Sequence, residues 1–222
     1  MLWRLRRNPP PAAGPRREFA NPLEPQPPLY RSPTLQALVS RLSSEGAYHI
    51  LDLGVASGAN VEFFSRFSRR LQIADLPDAL ASEKLRPLLT ADPAAAFRRV
   101  LPVAREPFDV VLAWDVLNYL TREQFGCLAA HVGRLCRPGA FVLAFVSTTK
   151  EMSGVPLVFK IVDDQTLLLR QQTIAVLPSP RFPPAEVGRL MSGFAVVQSV
   201  VMRHGVQEYL FVRRQDGAQV PL

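Results

Sequence analysis

The residues best placed to do chemistry lie in the run Ile50-Leu-Asp-Leu-Gly-Val-Ala-Ser-Gly-Ala-Asn60, an apolar strand that breaks into a glycine turn and then opens a helix. Gly54 lets the chain reverse sharply and leaves its backbone open to a ligand. Gly58 begins the helix, whose first amides have no intrahelical acceptor and favour a carboxylate or phosphate together with the helix dipole. Asp75 ends the next strand, 17 residues after Gly58, where an acidic side chain can accept hydrogen bonds from a ribose diol. A dinucleotide fingerprint reads G-x-G-x-x-G. Here Ala56 replaces its second glycine, and Ala59 and Asn60 follow Gly58 without supplying the third. Asp52, two residues before the first glycine, would repel a pyrophosphate and suits a cationic amino group. The ligand these residues describe carries an amine, a carboxylate and a ribose.

A second set of candidates follows the strand Phe108-Asp-Val-Val-Leu-Ala-Trp114. Ligands of open α/β sheets bind beyond the carboxyl ends of the strands, which puts Trp114, Asp115, Asn118 and Tyr119 beside the crevice. Asp115 either caps the next turn or borders a reacting group, and Trp114 either borders a nucleobase or joins the core. His204, in the last hairpin turn, is a further candidate base, whereas His49 and His131 read as structural. The catalytic role stays open among Asp115, Asn118, Tyr119 and His204. No residues are spaced as a metal-ligand cluster, so no metal is expected.

Such residues need a scaffold that alternates strands with helices. Ser32 and Pro33 have the types of an N-cap and first helical residue, followed by Leu35, Leu38, Val39 and Leu42 at helical spacing. Strands are predicted from His49, at Leu71–Asp75, in short form at Leu88–Ala91, at Phe108–Trp114 and at Ala140–Val146. Between them, Val61, Phe64, Phe67 and Leu71 recur with helical period, Asp78 is the expected cap of a helix to Arg86, and Thr121-Arg-Glu-Gln124 has capping-box spacing before a helix to Cys136. Further on, the pattern predicts a hairpin turning at Asp163-Asp164, a helix over Pro184–Ser192, and a last hairpin, Phe194–Met202 with Val206–Val212. The class this predicts is α/β: a doubly wound, mostly parallel sheet with helices on both faces.

Composition narrows the choices. With 222 residues, 48% of them hydrophobic, the chain can bury one domain-sized core. Its longest apolar run, Ala140–Val146, is far short of the roughly 18–20 residues that span a bilayer, so no membrane segment is expected. Cys127 and Cys136, nine apart on one predicted helix, would stand about 13 Å apart, too far for a disulfide. Two unpaired thiols suit a reducing compartment, and a cytoplasmic location is expected. The net charge of +7 is concentrated at the start: Arg4, Arg6, Arg7, Arg16, Arg17 and Arg31 face only Glu18 and Glu24 there, and nine of the 21 prolines fall in residues 1–33. That tail reads as irregular and solvated.

Taken in order, these motifs resemble the class I S-adenosylmethionine-dependent methyltransferases over roughly residues 34 to 213. Asp52-Leu-Gly54-x-x-x-Gly58 is similar to that family's first motif, and Asp75 to the acid ending its second strand. Ala91-Asp92-Pro93 matches the position that holds the adenine amino group, Phe108 to Leu120 the fourth strand and its turn, and Leu135-Cys-Arg-Pro-Gly139 the turn before strand five. The resemblance implies a seven-stranded sheet with an antiparallel C-terminal hairpin and S-adenosylmethionine as cofactor. It implies a cofactor set of Asp52, Gly54, Ala56, Gly58, Asn60, Asp75, Leu76, Asp92, Trp114 and Asp115.

On this reading residues 1–29 are a basic proline-rich tail, 30–215 a methyltransferase domain with a substrate-side insertion at 150–183, and 216–222 a second tail. The insertion is apolar with few cations, which favours a small-molecule acceptor over a phosphate backbone. The arginine-rich tail is the one feature that would suit a nucleic acid. Methyl transfer can rest on positioning alone, so the lack of a diagnostic catalytic residue does not oppose it. The alternatives are a catalytically silent binding or scaffold protein of the same fold and a nucleic-acid methyltransferase. A dehydrogenase is disfavoured by the glycine pattern and Asp52, and the oligomeric state is left open.

Overall fold

The computed structural model describes residues 29–103, 105–203 and 205–215. In chain order its strands are β1 (Leu29–Arg31), β2 (Tyr48–Asp52), β3 (Ser68–Ile73), β4 (Phe108–Trp114), β5 (Cys136–Ser147), β6 (Glu151–Ser153), β7 (Val158–Ile161), β8 (Thr166–Arg170), β9 (Val176–Pro178), β10 (Phe194–Val201) and β11 (Val206–Arg213). The helices are α1 (Pro33–Val39), α2 (Gly58–Ser65), α3 (Leu76–Ala81), α4 (Arg86–Ala91), α5 (Pro93–Val100), α6 (Arg122–Leu135) and α7 (Pro184–Leu190), with a 3₁₀ turn at Val116–Tyr119.

The main sheet has six strands in the order β10-β11-β5-β4-β2-β3. The run from β3 to β5 is parallel, and β11 and β10 are antiparallel additions. All seven residues of β4 are buried, as a strand covered on both faces requires. One core lies against α3 to α7 and contains Phe97, Phe125 and Phe211. On the other face α1 and α2 share the cover with a separate three-stranded sheet, β1-β8-β7. The 150–183 segment is thus a layer of the fold, built from the β7–β8 hairpin and the β6–β9 pair.

The N-terminal strand is tied down by a buried carboxylate. Glu208, in the middle of β11 and fully buried, accepts hydrogen bonds from the Tyr30 hydroxyl, from Ser32 Oγ (3.0 Å), and from Thr34 N (3.0 Å) and Oγ1 (2.6 Å). Ser32 also caps α1 through Leu35 N, with Pro33 at the first helical position.

Several expected elements differ. Leu88–Ala91 is helical within α4, so the sheet ends at β3 with six strands, not seven, among the described residues. Pro87 at the start of α4 can donate to no ladder, and Leu85 and Leu89, one helical turn apart, are both buried. The helix expected from Asp78 to Arg86 is α3, Leu76–Ala81, and it is capped by Asp75, not Asp78. Cys136 is the first residue of β5, not the end of a helix. Residues 1–28 and 216–222, and so most of both expected tails, lie outside the described residues.

Candidate functional site

The glycine turn lies where expected, between β2 and α2. Ser57 is the N-cap and Gly58 the first helical residue, with open space where its side chain would be. Ser57 Oγ is buried without a partner and makes no cap bond. It is an acceptor and donor left beside the free amides of α2. Ala56 is exposed and is not among the positive-φ residues, so its methyl group adds no backbone strain at the position of the fingerprint glycine.

Asp52, Gly54 and Trp114 form one tight cluster. Asp52 is buried and accepts from Gly54 N (2.9 Å) and from the Trp114 indole Nε1 (2.7 Å). Burial pushes its carboxyl up to about 6, held back by those two donors. The indole lies directly over Gly54: a Cβ there would stand 2.8 Å from Nε1 and nearer still to Cδ1. Trp114 takes the left-handed conformation, φ 46°, which is strained for a bulky residue. Its ring stacks on Phe159 of β7, centroids 5.2 Å apart and planes within 9°. Asn60, on α2, is spent on the same strand: its amide donates to Phe159 O (2.9 Å) and its oxygen accepts from Ile161 N (2.9 Å).

Asp75 caps α3 by accepting from Asp78 N (3.3 Å), in the left-handed conformation at φ 39°. It lines an open cleft of about 460 Å³ together with Val55, Pro77, Leu80, Tyr119 and Pro156. Leu76 does not reach this cleft; its side chain is fully buried in the core. Asp92 is not brought to it either. That side chain is half exposed, accepts from Ala95 N to cap α5, and lies 3.9 Å from Arg98.

Tyr119 also borders a second cavity of about 220 Å³. Asp115 faces it. Although Asp115 precedes the 3₁₀ turn, its side chain makes no cap bond; Oδ2 accepts from Leu157 N (3.0 Å) and Oδ1 is buried without a partner. Burial raises its carboxyl to about 7, against the Leu157 amide that favours the ionised form. Asn118 lines the same cavity; it donates to Asp115 O and Phe145 O and accepts from Ser147 N, tying the turn to β5. Tyr119 donates to Val155 O (2.7 Å) and lies 3.1 Å from Ser153 O; burial and the neighbouring Asp115 raise its hydroxyl. His204 lies outside the described residues. His131, on α6, is buried with its ring beside Arg134, and burial lowers its titration.

Two residues of consequence carry no local signal. Phe159 roofs Trp114 from the separate β1-β8-β7 sheet, and Ser57 stands at the N-cap of α2 with its hydroxyl buried and unbonded; neither could be inferred from spacing. Among the described residues no group of three or more His, Cys, Asp or Glu could hold a metal ion, and no helix is long and apolar enough to cross a membrane.

Several solved structures are similar to this chain. A structure of an S-adenosylmethionine-dependent methyltransferase from Clostridium acetobutylicum matches with a TM-score of 0.51 at 10% identity, over 81% of this chain and 90% of that one. The N-methyltransferase NodS from Bradyrhizobium japonicum, solved with S-adenosyl-L-homocysteine, matches at 0.47 and 14% identity, over 83% and 89%. The Burkholderia thailandensis 1,6-didemethyltoxoflavin-N1-methyltransferase matches at 0.45 and 19%, over 82% and 76%. No protein-family model matches the sequence, and no curated protein matches it. The fold is that of the class I S-adenosylmethionine-dependent methyltransferases, without an edge strand beyond β3 among the described residues.

Proposed function

We propose that the chain is an S-adenosylmethionine-dependent methyltransferase acting on a small, largely apolar acceptor, and that the conformation described above is its closed state. The observation that carries this reading is the joint placement of Val55, in the glycine turn, and Asp75 on a cleft whose wall, Tyr119, is shared with a second cavity. A nucleoside cofactor and an acceptor would meet across that wall.

The fit to the cofactor differs between its two ends. The nucleoside half is accommodated: Asp75 faces the cleft with an acidic oxygen for a ribose, and Pro77 and Leu80 offer apolar surface for a base. Ser57 Oγ and the free amides of α2 suit a carboxylate. The methionine half is not accommodated as the side chains stand, because Trp114 covers Gly54 and engages Asp52, and Asn60 is bonded to β7. Asp52, Gly54 and Asn60 serve it only once the indole and β7 have moved. Bound there, the cofactor supplies an electrophilic methyl group. The chain contributes positioning and exclusion of water.

The same plug favours a second reading, a binding or scaffold protein of this fold that turns nothing over. Parallel calorimetric titration with S-adenosylmethionine, S-adenosylhomocysteine and NADH separates the two. Micromolar binding of both sulfur nucleosides without NADH supports the methyltransferase. Silence from all three, in the parent and in Trp114→Ala alike, puts the scaffold first. The remaining alternative, a nucleic-acid methyltransferase using the arginine-rich tail, predicts RNA or DNA binding that collapses with salt and on deletion of residues 1–31. A cytoplasmic location is also proposed, on the two unpaired thiols Cys127 and Cys136.

A further inference from the structure

The 220 Å³ cavity has the chemistry of a cation site. Its walls are largely apolar and aromatic, with Tyr30 from the N-terminal strand, Phe145 from β5 and Phe159 from β7. Phe145 and Phe159 lie 5.1 Å apart and Tyr30 packs edge-on to Phe145 at 6.3 Å, so three rings converge on one space. Into it faces Asp115, a carboxylate with one oxygen buried and unpartnered. Ser153 Oγ, on the same lining, is also buried without a partner. Among the described residues that line the cavity there is no arginine or lysine. The carboxylate therefore has no cation of its own, and an anionic ligand would meet a like charge. Exposed Thr149 and Gln171 mark the side that opens to solvent.

We infer that this cavity binds a small organic amine, its nitrogen held by Asp115 and its apolar body by the rings of Tyr30, Phe145 and Phe159. A buried carboxylate oxygen without a donor is relieved by an N–H⁺ group, and aromatic faces attract the same charge. An uncharged isostere of the amine gains the apolar contacts alone. Under the methyl-transfer reading the amine is the acceptor: its ammonium would pass one proton to the Asp115 carboxylate, freeing the nitrogen lone pair to take the methyl group as the methyl–sulfur bond breaks and the thioether leaves. That role rests on that reading; amine binding itself does not.

The test uses the full chain without cofactor at about pH 8, where the Asp115 carboxyl is ionised. Benzylamine is titrated against benzyl alcohol, an uncharged molecule of nearly the same shape. Binding is read by calorimetry and by emission of Trp114, which stacks on the cavity wall residue Phe159. Benzylamine is expected to bind at least about tenfold more tightly than the alcohol. Asp115→Asn is expected to weaken the amine by roughly 10- to 100-fold and leave the alcohol unchanged. If that variant does not fold, Met152→Trp, which narrows the cavity from a partly exposed position, should abolish amine binding instead. Equal affinity for amine and alcohol, no binding of either, or amine binding indifferent to both substitutions overturns the inference. S-adenosylhomocysteine is titrated into the same samples. Nucleoside binding without amine binding defeats this site alone, and amine binding without nucleoside binding, in the parent and in Trp114→Ala alike, defeats the cofactor reading alone.

Discussion

Replacing Trp114 by alanine removes the ring that covers Gly54, and the structure sets both the loss of stability and the gain in affinity. The indole is 2% exposed and contacts Phe145 and Phe159, so truncation should lower stability by about 3–5 kcal/mol. That lies within the roughly 5–15 kcal/mol of an ordinary domain, and the variant should still fold. What holds the ring closed is its hydrogen bond to the buried Asp52 and its stack on Phe159. These are worth about 1.5–3 and 0.5–1.5 kcal/mol. A ligand that must open the plug pays that sum, about 2–4.5 kcal/mol, as a reduced fraction of competent molecules. Trp114→Ala should therefore bind S-adenosylhomocysteine roughly 30- to 1,600-fold more tightly than the parent. Trp114→Phe keeps a ring and loses the bond to Asp52, and should fall between them. Calorimetry at a temperature well below each melting point, with circular dichroism to show the fold intact, measures all three. A folded alanine variant that binds no better than the parent refutes the argument that the indole is the barrier.

Three other outcomes follow from particular contacts. Asp75→Ala should lose most affinity for S-adenosylmethionine while its melting temperature drops by only about 2–4 °C, because the cap of α3 is worth about 1 kcal/mol; unchanged affinity would remove the ribose role. Glu208→Ala strands the donors of Tyr30, Ser32 and Thr34, and should lower stability by at least about 3 kcal/mol, with proteolysis of the N-terminal strand preceding global unfolding; a parent-like melt would show the carboxylate is not the anchor. The carboxyls of Asp115 and Asp52 are raised in the folded chain to about 7 and about 6. The folded state thus holds protons that the unfolded state has released above about pH 4. Their contribution is complete below that value and is lost as pH rises to about 7, so melting temperature should fall across this window, and Asp115→Asn should flatten the slope. An identical slope in the variant would contradict the burial argument.

The covering of Gly54 has a structural origin in the 150–183 segment. Its β7 strand is packed under α2, receives both ends of the Asn60 amide and supplies Phe159. Freeing Asp52, Gly54 and Asn60 together therefore requires more than a rotamer of Trp114. It requires β7 to give up two hydrogen bonds to α2, while β8 stays paired to β1. The Glu208 anchor, by holding β1 and α1 to the main sheet, keeps that layer in register.

Features decided within a few residues were legible in the sequence. The capping box of Thr121 and Gln124 forms with both reciprocal bonds, Ser32 and Pro33 start α1, and Phe108–Trp114 is a fully buried strand. Each rests on a local rule: a side chain reaching an amide three residues on, or an unbroken apolar run. The glycine turn between β2 and α2 was legible for the same reason. Where a short segment satisfied two rules, tertiary packing chose. Leu88–Ala91 suits a strand or a helix, and Pro87 with Leu85 and Leu89 against the core makes it a helix. Asp92, read as a nucleobase contact, caps α5 through the free amide of Ala95 and does not line the cleft that holds Asp75. What no spacing rule could supply is the state of the site. Trp114 meets Asp52 across 62 residues, Asn60 meets Phe159 across 99, and Tyr30 meets Glu208 across 178. Sequence determined which groups could hold a ligand, because that depends on side-chain chemistry and local backbone geometry. Only the tertiary structure decided which of them are free to do so, because burial and partnership arise when distant segments pack together.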